Sequence, residues 1–323
     1  MIVLITGITG MVGSHLADYI LDNHPSVEVH GLIRWRSPLD NIREIQSKVV
    51  LHYAELRDLN SIIILLSEIK PDWIFHLAAQ SYVSSSFNAP VDTIHTNVIG
   101  TTNLLDAVRI TKIDPKIHIC SSSEVYGQVI KDEIPIKETN PFRPASPYAV
   151  SKVGEDMVAL QYFLSYGIKT IRTRMFTHSG PRRGDVFAES AFAKQIAEVE
   201  AGLRSNPIKV GNLNSIRTFA DVRDAVRAYW LLLEKCPPGE VYNIGGDRTM
   251  RIAEMLEILK SMARCKIEHQ VDPSLERPSD VTLQIPDISK FQRATGWKPE
   301  IPLEITLQDL LDYHRSRIKN GGS

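Results

Sequence analysis

Thr6-Gly7-Ile8-Thr9-Gly10-Met11-Val12-Gly13 is the stretch on which the fold turns. It follows the apolar run Ile2-Val3-Leu4-Ile5 and leads into a segment where Val12, Leu16 and Ile20 fall at i, i+4 and i+8, the spacing of one helical face. Strand, glycine-rich turn and helix in that order aim backbone N–H groups and a helix N-terminus at a pyrophosphate. The glycine spacing is G-x-x-G-x-x-G, not the G-x-G-x-x-G of ordinary dehydrogenases. Gly7, Thr9, Gly10, Met11, Val12 and Gly13 are therefore expected to line a dinucleotide.

Short runs rich in Val, Ile and Leu recur at 27–33, 48–53, 73–77, 116–120 and 169–175. They lack period-two alternation, as expected of strands covered on both faces of a parallel sheet. Amphipathic segments lie between them; after Pro147, Val150, Val153, Met157, Leu160 and Leu164 repeat at helical spacing. The alternation predicts an α/β fold, a Rossmann-type doubly wound parallel sheet spanning residues 1–176. Beyond it the pattern loosens into a loop at 177–184, a helix near 187–202 and a strand at 241–244 that can return to the first sheet. Residues 177–315 thus read mainly as a smaller, interleaved α/β substrate domain, with part of 215–248 rejoining the first. Gly321-Gly322-Ser323 reads as a frayed tail.

Of 323 residues, 43% are apolar and 23% charged, which excludes a disordered or fibrous chain. Thirty-seven basic against 38 acidic residues leave a net charge of −1, so no broad field exists for nucleic acid or an anionic membrane. Three scattered cysteines, Cys120, Cys236 and Cys265, have no histidines at metal spacing. They suggest a reducing compartment and no metal site. The first residues are too few and too uncharged for a signal peptide, and no apolar run reaches membrane-spanning length. A cytoplasmic protein is expected.

The second strand ends Gly31-Leu32-Ile33-Arg34-Trp35-Arg36-Ser37, where a carboxylate would bond a ribose 2′-hydroxyl. Two guanidiniums and a hydroxyl stand there instead. Arg34 and Arg36 suit a 2′-phosphate and favour NADP over NAD; the other reading is a solvated basic loop. Tyr148 and Lys152 lie four apart at the start of a helix, so phenol and ammonium share a face. The ammonium lowers the phenol pKa, making Tyr148 a usable acid/base. The fifth strand ends Ser121-Ser122-Ser123-Glu124-Val125-Tyr126-Gly127. Ser122 then faces a substrate hydroxyl, and Glu124 is either a second acid/base or a carboxylate at a helix start.

Together with His76-Leu77-Ala78-Ala79, Arg277-Pro278-Ser279-Asp280 and Gly296-Trp297-Lys298-Pro299, these motifs resemble the extended short-chain dehydrogenase/reductases that act on nucleotide sugars. Within that group, Val29 to Arg34, Leu51-His52-Tyr53 and Ser179-Gly180-Pro181-Arg182-Arg183-Gly184 look like the GDP-mannose 4,6-dehydratases. Other segments are similar also to their partners, the GDP-4-keto-6-deoxymannose reductases.

The resemblance implies that Tyr148 takes the sugar's 4-hydroxyl proton as hydride leaves C4 for the nicotinamide. Ser122 polarises the 4-oxygen. Glu124 removes the C5 proton and assists loss of the 6-hydroxyl, and the hydride returns to C6. Glu55, Leu56, Leu77, Ala78 and Ala79 join the cofactor site, with Tyr148 and Lys152. Arg217 and Arg277 would grip the diphosphate of a GDP-hexose, while Ser81, Thr177, Lys194 and Asn212 would complete the substrate side. A homodimer or homotetramer is implied too. The chain departs from the family in having Thr177 after Phe176 in place of Asn, Glu55 in place of Asp, and Trp35 between the two arginines. A lyase, a reductase, another nucleotide-sugar epimerase or dehydratase, and a non-catalytic dinucleotide sensor all fit the fold; Glu124 favours the lyase, and Tyr148 with Lys152 disfavours the sensor.

Overall fold

In the computed structural model, which describes residues 1–276 and 281–321, the predicted strands form one parallel sheet. β1 (Ile2–Thr6), β2 (Glu28–Ile33), β3 (Val50–Tyr53), β4 (Trp73–His76), β5 (Lys116–Ser122) and β6 (Thr170–Met175) follow in chain order. A further strand, Val241–Ile244, returns from the second half and pairs with β6, Val241 opposite Arg172 and Ile244 opposite Met175. The lateral order is Val241–Ile244, β6, β5, β4, β1, β2, β3. Strand order reverses between β1 and β4, so a crevice opens beyond their carboxyl ends.

Eight helices matter here: α1 (Met11–Asn23), α2 (Leu59–Ile69), α3 (Val83–Asn88), α4 (Pro90–Ile94), α5 (Gly100–Thr111), α6 (Pro147–Tyr166), α7 (Ala188–Glu200) and α8 (Val222–Lys235). Leu16 and Ile20 of α1 share an apolar core with Val226, Tyr229 and Leu233 of α8. A second core joins Leu65 and Leu66 of α2, Leu104 and Val108 of α5, and Ala159 and Tyr162 of α6. α7 belongs to a third, with Phe192 and Ile196 against Met255, Leu256, Leu307 and Leu311. That third core gathers residues of the later part of the chain, while α8, Phe291 and Trp297 pack into the first. Among the described residues no helix is long and apolar enough to cross a membrane.

α6 starts and stops where its sequence dictates. Pro147 occupies the first turn, Ser146 Oγ accepts from the Ala149 N–H at 3.0 Å, and Gly167 ends the helix at φ +71°. Ala159 and Tyr162 pack into the second core, but charged groups share the buried face with them. Val150, Met157 and Leu164 are 47%, 36% and 71% exposed, while the buried face carries Tyr148, Ser151, Lys152, Glu155 and Asp156. Three residues of the apolar stripe thus lie on the outside, while Val153 and Leu160 are partly buried. Charges can lie inside because each meets an opposite one: Asp156 accepts from Arg172 Nη1 and Arg174 Nε of β6, both at 2.8 Å, and Glu155 meets Lys152.

Candidate active site

A crevice of about 1190 Å³ runs along the ends of β1, β4 and β5 and against α7. Its floor is the glycine turn. Gly7 has φ +76°, and a Cβ there would lie 2.9 Å from the Ala78 backbone; one on Gly13 would lie 2.3 Å from the Gly7 carbonyl oxygen. Only glycine lets the turn, the helix and the β4 end close together. Asn41 Nδ2 donates to the Thr9 carbonyl at 2.9 Å and fixes the outer edge of the turn.

The β1 and β4 ends are locked by one hydroxyl. Thr6 Oγ1 accepts from the Leu77 and Ala78 N–H groups, both at 3.2 Å. Its own proton therefore goes to His76 Nδ1, 2.8 Å away. His76 Nε2 then carries the ring proton and donates to Thr101 Oγ1 at 3.0 Å, and Thr101 donates to the Asn97 carbonyl at 2.7 Å. Burial first, then the charge of Lys152, drives His76 down to about 3, so it stays neutral. Leu77, Ala78 and Ala79 are thereby held as crevice wall.

Asn97 lies in a π-helical turn, His95–Ile99, a distortion frequent at functional sites. Its side chain accepts from the Gln80 N–H at 2.7 Å and donates to the Gln80 carbonyl at 3.0 Å and to Ser151 Oγ at 2.9 Å. Ser151 in turn donates to the Tyr148 carbonyl at 2.7 Å. The Gln80 loop is so tied to the first turn of α6.

Ser122, Glu124, Tyr148 and Lys152 all line the crevice. Ser122 and Glu124 come from the end of β5 and the single 3₁₀ turn after it, where the Glu124 N–H donates to Ser122 Oγ at 3.2 Å. The Lys152 ammonium stands 5.9 Å from the Tyr148 ring centre. Burial raises the Tyr148 phenol pKa; Lys152 and a hydrogen bond with Ser122 pull it down, and Glu155 adds to the rise. The ammonium acts in the expected sense, but desolvation outweighs it. Burial alone would lower Lys152, yet the charges of Glu155, Tyr148 and Cys120 keep it above the usual lysine range.

Arg34, Ser37, Glu55 and Leu56 line the far end of the crevice, and Arg57 joins them. The turn at Arg34 is closed by its N–H donating to Ser37 Oγ at 3.0 Å. Arg36 is not part of this wall; its guanidinium stacks at 4.6 Å over the exposed Trp35 ring. On the opposite side Ser81, Thr177, Asn212 and Arg217 line the crevice. Lys194 does not: it donates to Asp185 Oδ2 at 2.6 Å and faces a neighbouring cavity with Arg204 and Arg317. Arg277, with the rest of Arg277-Pro278-Ser279-Asp280, lies outside the described residues, as do Gly322 and Ser323 of the tail. Among the described residues no cluster of three His, Cys, Asp or Glu side chains could hold a metal ion. Asn41 and Asn97 were not legible in the sequence, because their roles depend on partners 17 to 54 positions away or on a helical turn of irregular pitch; Glu155, three residues from Lys152, was within reach of spacing but was passed over.

Comparison with known proteins agrees with this geometry. The model of the GDP-mannose 4,6 dehydratase family matches residues 4–310. A GDP-mannose 4,6-dehydratase of Yersinia enterocolitica is 34% identical, over 93% of this chain and 90% of that protein. A GDP-6-deoxy-D-mannose reductase of Pseudomonas aeruginosa is 33% identical, over 98% and 97%. The solved structure of RMD from Pseudomonas aeruginosa complexed with NADPH superposes with a TM-score of 0.85 at 32% identity, covering 98% of this chain and 99% of that one. By fold, crevice and sequence, the chain belongs to the GDP-mannose 4,6-dehydratase family.

Proposed function

We propose that the protein is a lyase that converts GDP-mannose to GDP-4-keto-6-deoxymannose. The observation that carries this reading is Glu124 sharing one crevice with Ser122, Tyr148 and Lys152: a ketone reduction needs no base beside C5, and a dehydration does. The glycine cradle and the Arg34–Ser37 turn fit a dinucleotide phosphate. NADP held there would take up a hydride from C4 of the sugar and return it to C6; NAD is the alternative cofactor.

The chain's own groups do the rest. Tyr148 receives the 4-hydroxyl proton, with Ser122 holding the same oxygen and the Lys152 ammonium stabilising the phenolate. The carbonyl formed at C4 acidifies the C5 proton. Glu124 removes it and hands a proton to the departing 6-hydroxyl, which leaves as water. Asn212 and Arg217, with Arg277, serve the diphosphate and nucleotide, where planar bidentate donors are apt. Lys194 contributes only if its bond to Asp185 is exchanged for one to substrate.

A second reading, NAD(P)H-dependent reduction of a 4-keto-6-deoxy sugar, is favoured by the near full-length match to the Pseudomonas reductase. One assay separates the two. With GDP-mannose and catalytic NADP, the dehydratase gives a 4-keto product with no net change in reduced cofactor. No dehydration, with NADPH consumed one for one on a 4-keto-6-deoxy sugar, identifies the reductase. Self-association is also proposed. Val150, Met157 and Leu164 recur every seven residues and form an exposed apolar stripe on α6, suited to a second copy of the same helix.

A further inference from the structure

α6 carries two adjacent carboxylates, both inside the protein, that face different partners. Asp156 is answered by Arg172 and Arg174. Glu155, 1% exposed, turns to the site instead. Lys152 Nζ donates to Glu155 Oε2 at 2.8 Å and to the Cys120 carbonyl at 3.0 Å. An ammonium has three protons, so two are spent and one is left for the crevice that Lys152 lines. The other carboxylate oxygen, Glu155 Oε1, is buried and finds no hydrogen-bond partner among the described residues. Leaving a buried acceptor without a partner is costly. An apolar residue of similar volume would pack here without that cost, so general stability does not account for the carboxylate.

We propose that Glu155 is a positioning residue for the reaction: its carboxylate pins the Lys152 ammonium against the Cys120 carbonyl and sets how much of that positive charge the Tyr148 phenol feels. This rests on the reading of Tyr148 as the acid/base.

Burial pushes the Glu155 carboxyl up to about 7 while Lys152 pulls it down, so Glu155 carries its full charge above neutral pH, and the other groups around Lys152 do not compete with it there. His76 on β4 and His118 on β5 are driven down to about 3, chiefly by burial, and are neutral. Burial raises the Cys120 thiol and the Tyr229 phenol of α8, so neither is charged at working pH. Asp156 is already matched by its arginines. The Glu155 charge raises both Lys152 and Tyr148. Removing it lowers both, so the phenolate forms at lower pH and the ammonium loses its proton at lower pH. The whole activity bell moves towards acid.

Glu155→Gln in the full chain tests this with two readouts. Tyrosinate absorbance, taken as the difference between proteins with and without Tyr148→Phe, should titrate at lower pH in the variant; this needs no substrate. Above neutral pH, where the native carboxylate is charged, the kcat/KM profile with GDP-mannose should shift the same way, rising roughly threefold or more on the acid limb relative to its optimum. In a Lys152→Met background, where only the direct effect of the Glu155 charge on Tyr148 remains, Glu155→Gln should move both clearly less. An unmoved titration and profile in a folded, NADP-binding variant overturns the proposal, as does an equal effect in the Lys152→Met background. Should the glutamine variant not fold, Glu155→Asp retains the charge one methylene further back. It should keep the native pH profile at reduced kcat, and an acid shift there overturns the proposal. A native protein inert on GDP-mannose would sink the dehydratase reading while leaving the tyrosinate test intact.

Discussion

Helix α1 buries Leu16, Ala17 and Ile20 and turns Asp22 and Asn23 to solvent, whereas α6 buries Lys152, Glu155 and Asp156 and turns Val150, Met157 and Leu164 outward. Both flank the same crevice. α1 contributes to it through its N-terminus, where backbone N–H groups suffice, so its side chains are free to follow the hydrophobic effect, about 1.5–3 kcal/mol for each large apolar group buried. α6 contributes through side chains that must be both charged and sheltered. Its inner face is stable only as a set of matched pairs, because an uncompensated buried charge costs about 3–5 kcal/mol. A helix that carries chemistry inward can therefore leave apolar residues such as Val150, Met157 and Leu164 on the outside.

The sharpest way to break the contrast is at Tyr148. Tyr148→Phe keeps the ring packed and removes the proton acceptor, so turnover should fall ~10²–10⁴-fold while cofactor titration by fluorescence stays near native. A loss under threefold would remove Tyr148 from the mechanism. Next is the pairing itself. Asp156→Asn strands two buried guanidiniums and should cost about 3–5 kcal/mol in urea unfolding, as much as cutting a buried α1 leucine to alanine, about 2–5 kcal/mol for Leu16→Ala. A neutral result would mean that the inner face of α6 does not depend on its ion pairs.

At the cofactor end, Arg34→Ala should weaken NADP roughly tenfold or more and NAD far less, as measured by calorimetry, since only NADP offers the phosphate. Equal loss for both would assign Arg34 to the loop. Arg36→Ala, whose guanidinium lies on Trp35 outside the crevice wall, should do less. The smallest effect is expected at the outer stripe. Leu164→Glu should weaken self-association by sedimentation velocity with little change in unfolding, because the side chain is exposed in the single chain.

What was readable in the sequence follows the same divide. The sheet was legible because buried parallel strands are continuous apolar runs, and each predicted strand lies within two residues of the observed one. The glycine turn, Tyr148 with Lys152, and Ser122 with Glu124 were legible because their spacing is local. The orientation of α6 was not: periodicity finds an apolar stripe but cannot tell that Arg172 and Arg174, contributed by β6, draw the opposite face inward. Nor could spacing separate Arg34 from Arg36, since both sit at one strand end and only the turn closed by Ser37 decides which faces the crevice. Lys194 lies within α7, outside every motif, and its partner Asp185 sets where it points.

The central claim, that hydride leaves C4 and returns to C6 within one turnover while Glu124 works at C5, is tested most directly with GDP-mannose deuterated at C4. The expected product is the 4-keto-6-deoxy sugar with deuterium at C6, formed without net reduction of NADP, and abolished by Glu124→Gln with reduced cofactor accumulating on the enzyme. A product without deuterium at C6, or native turnover retained in Glu124→Gln, would contradict it.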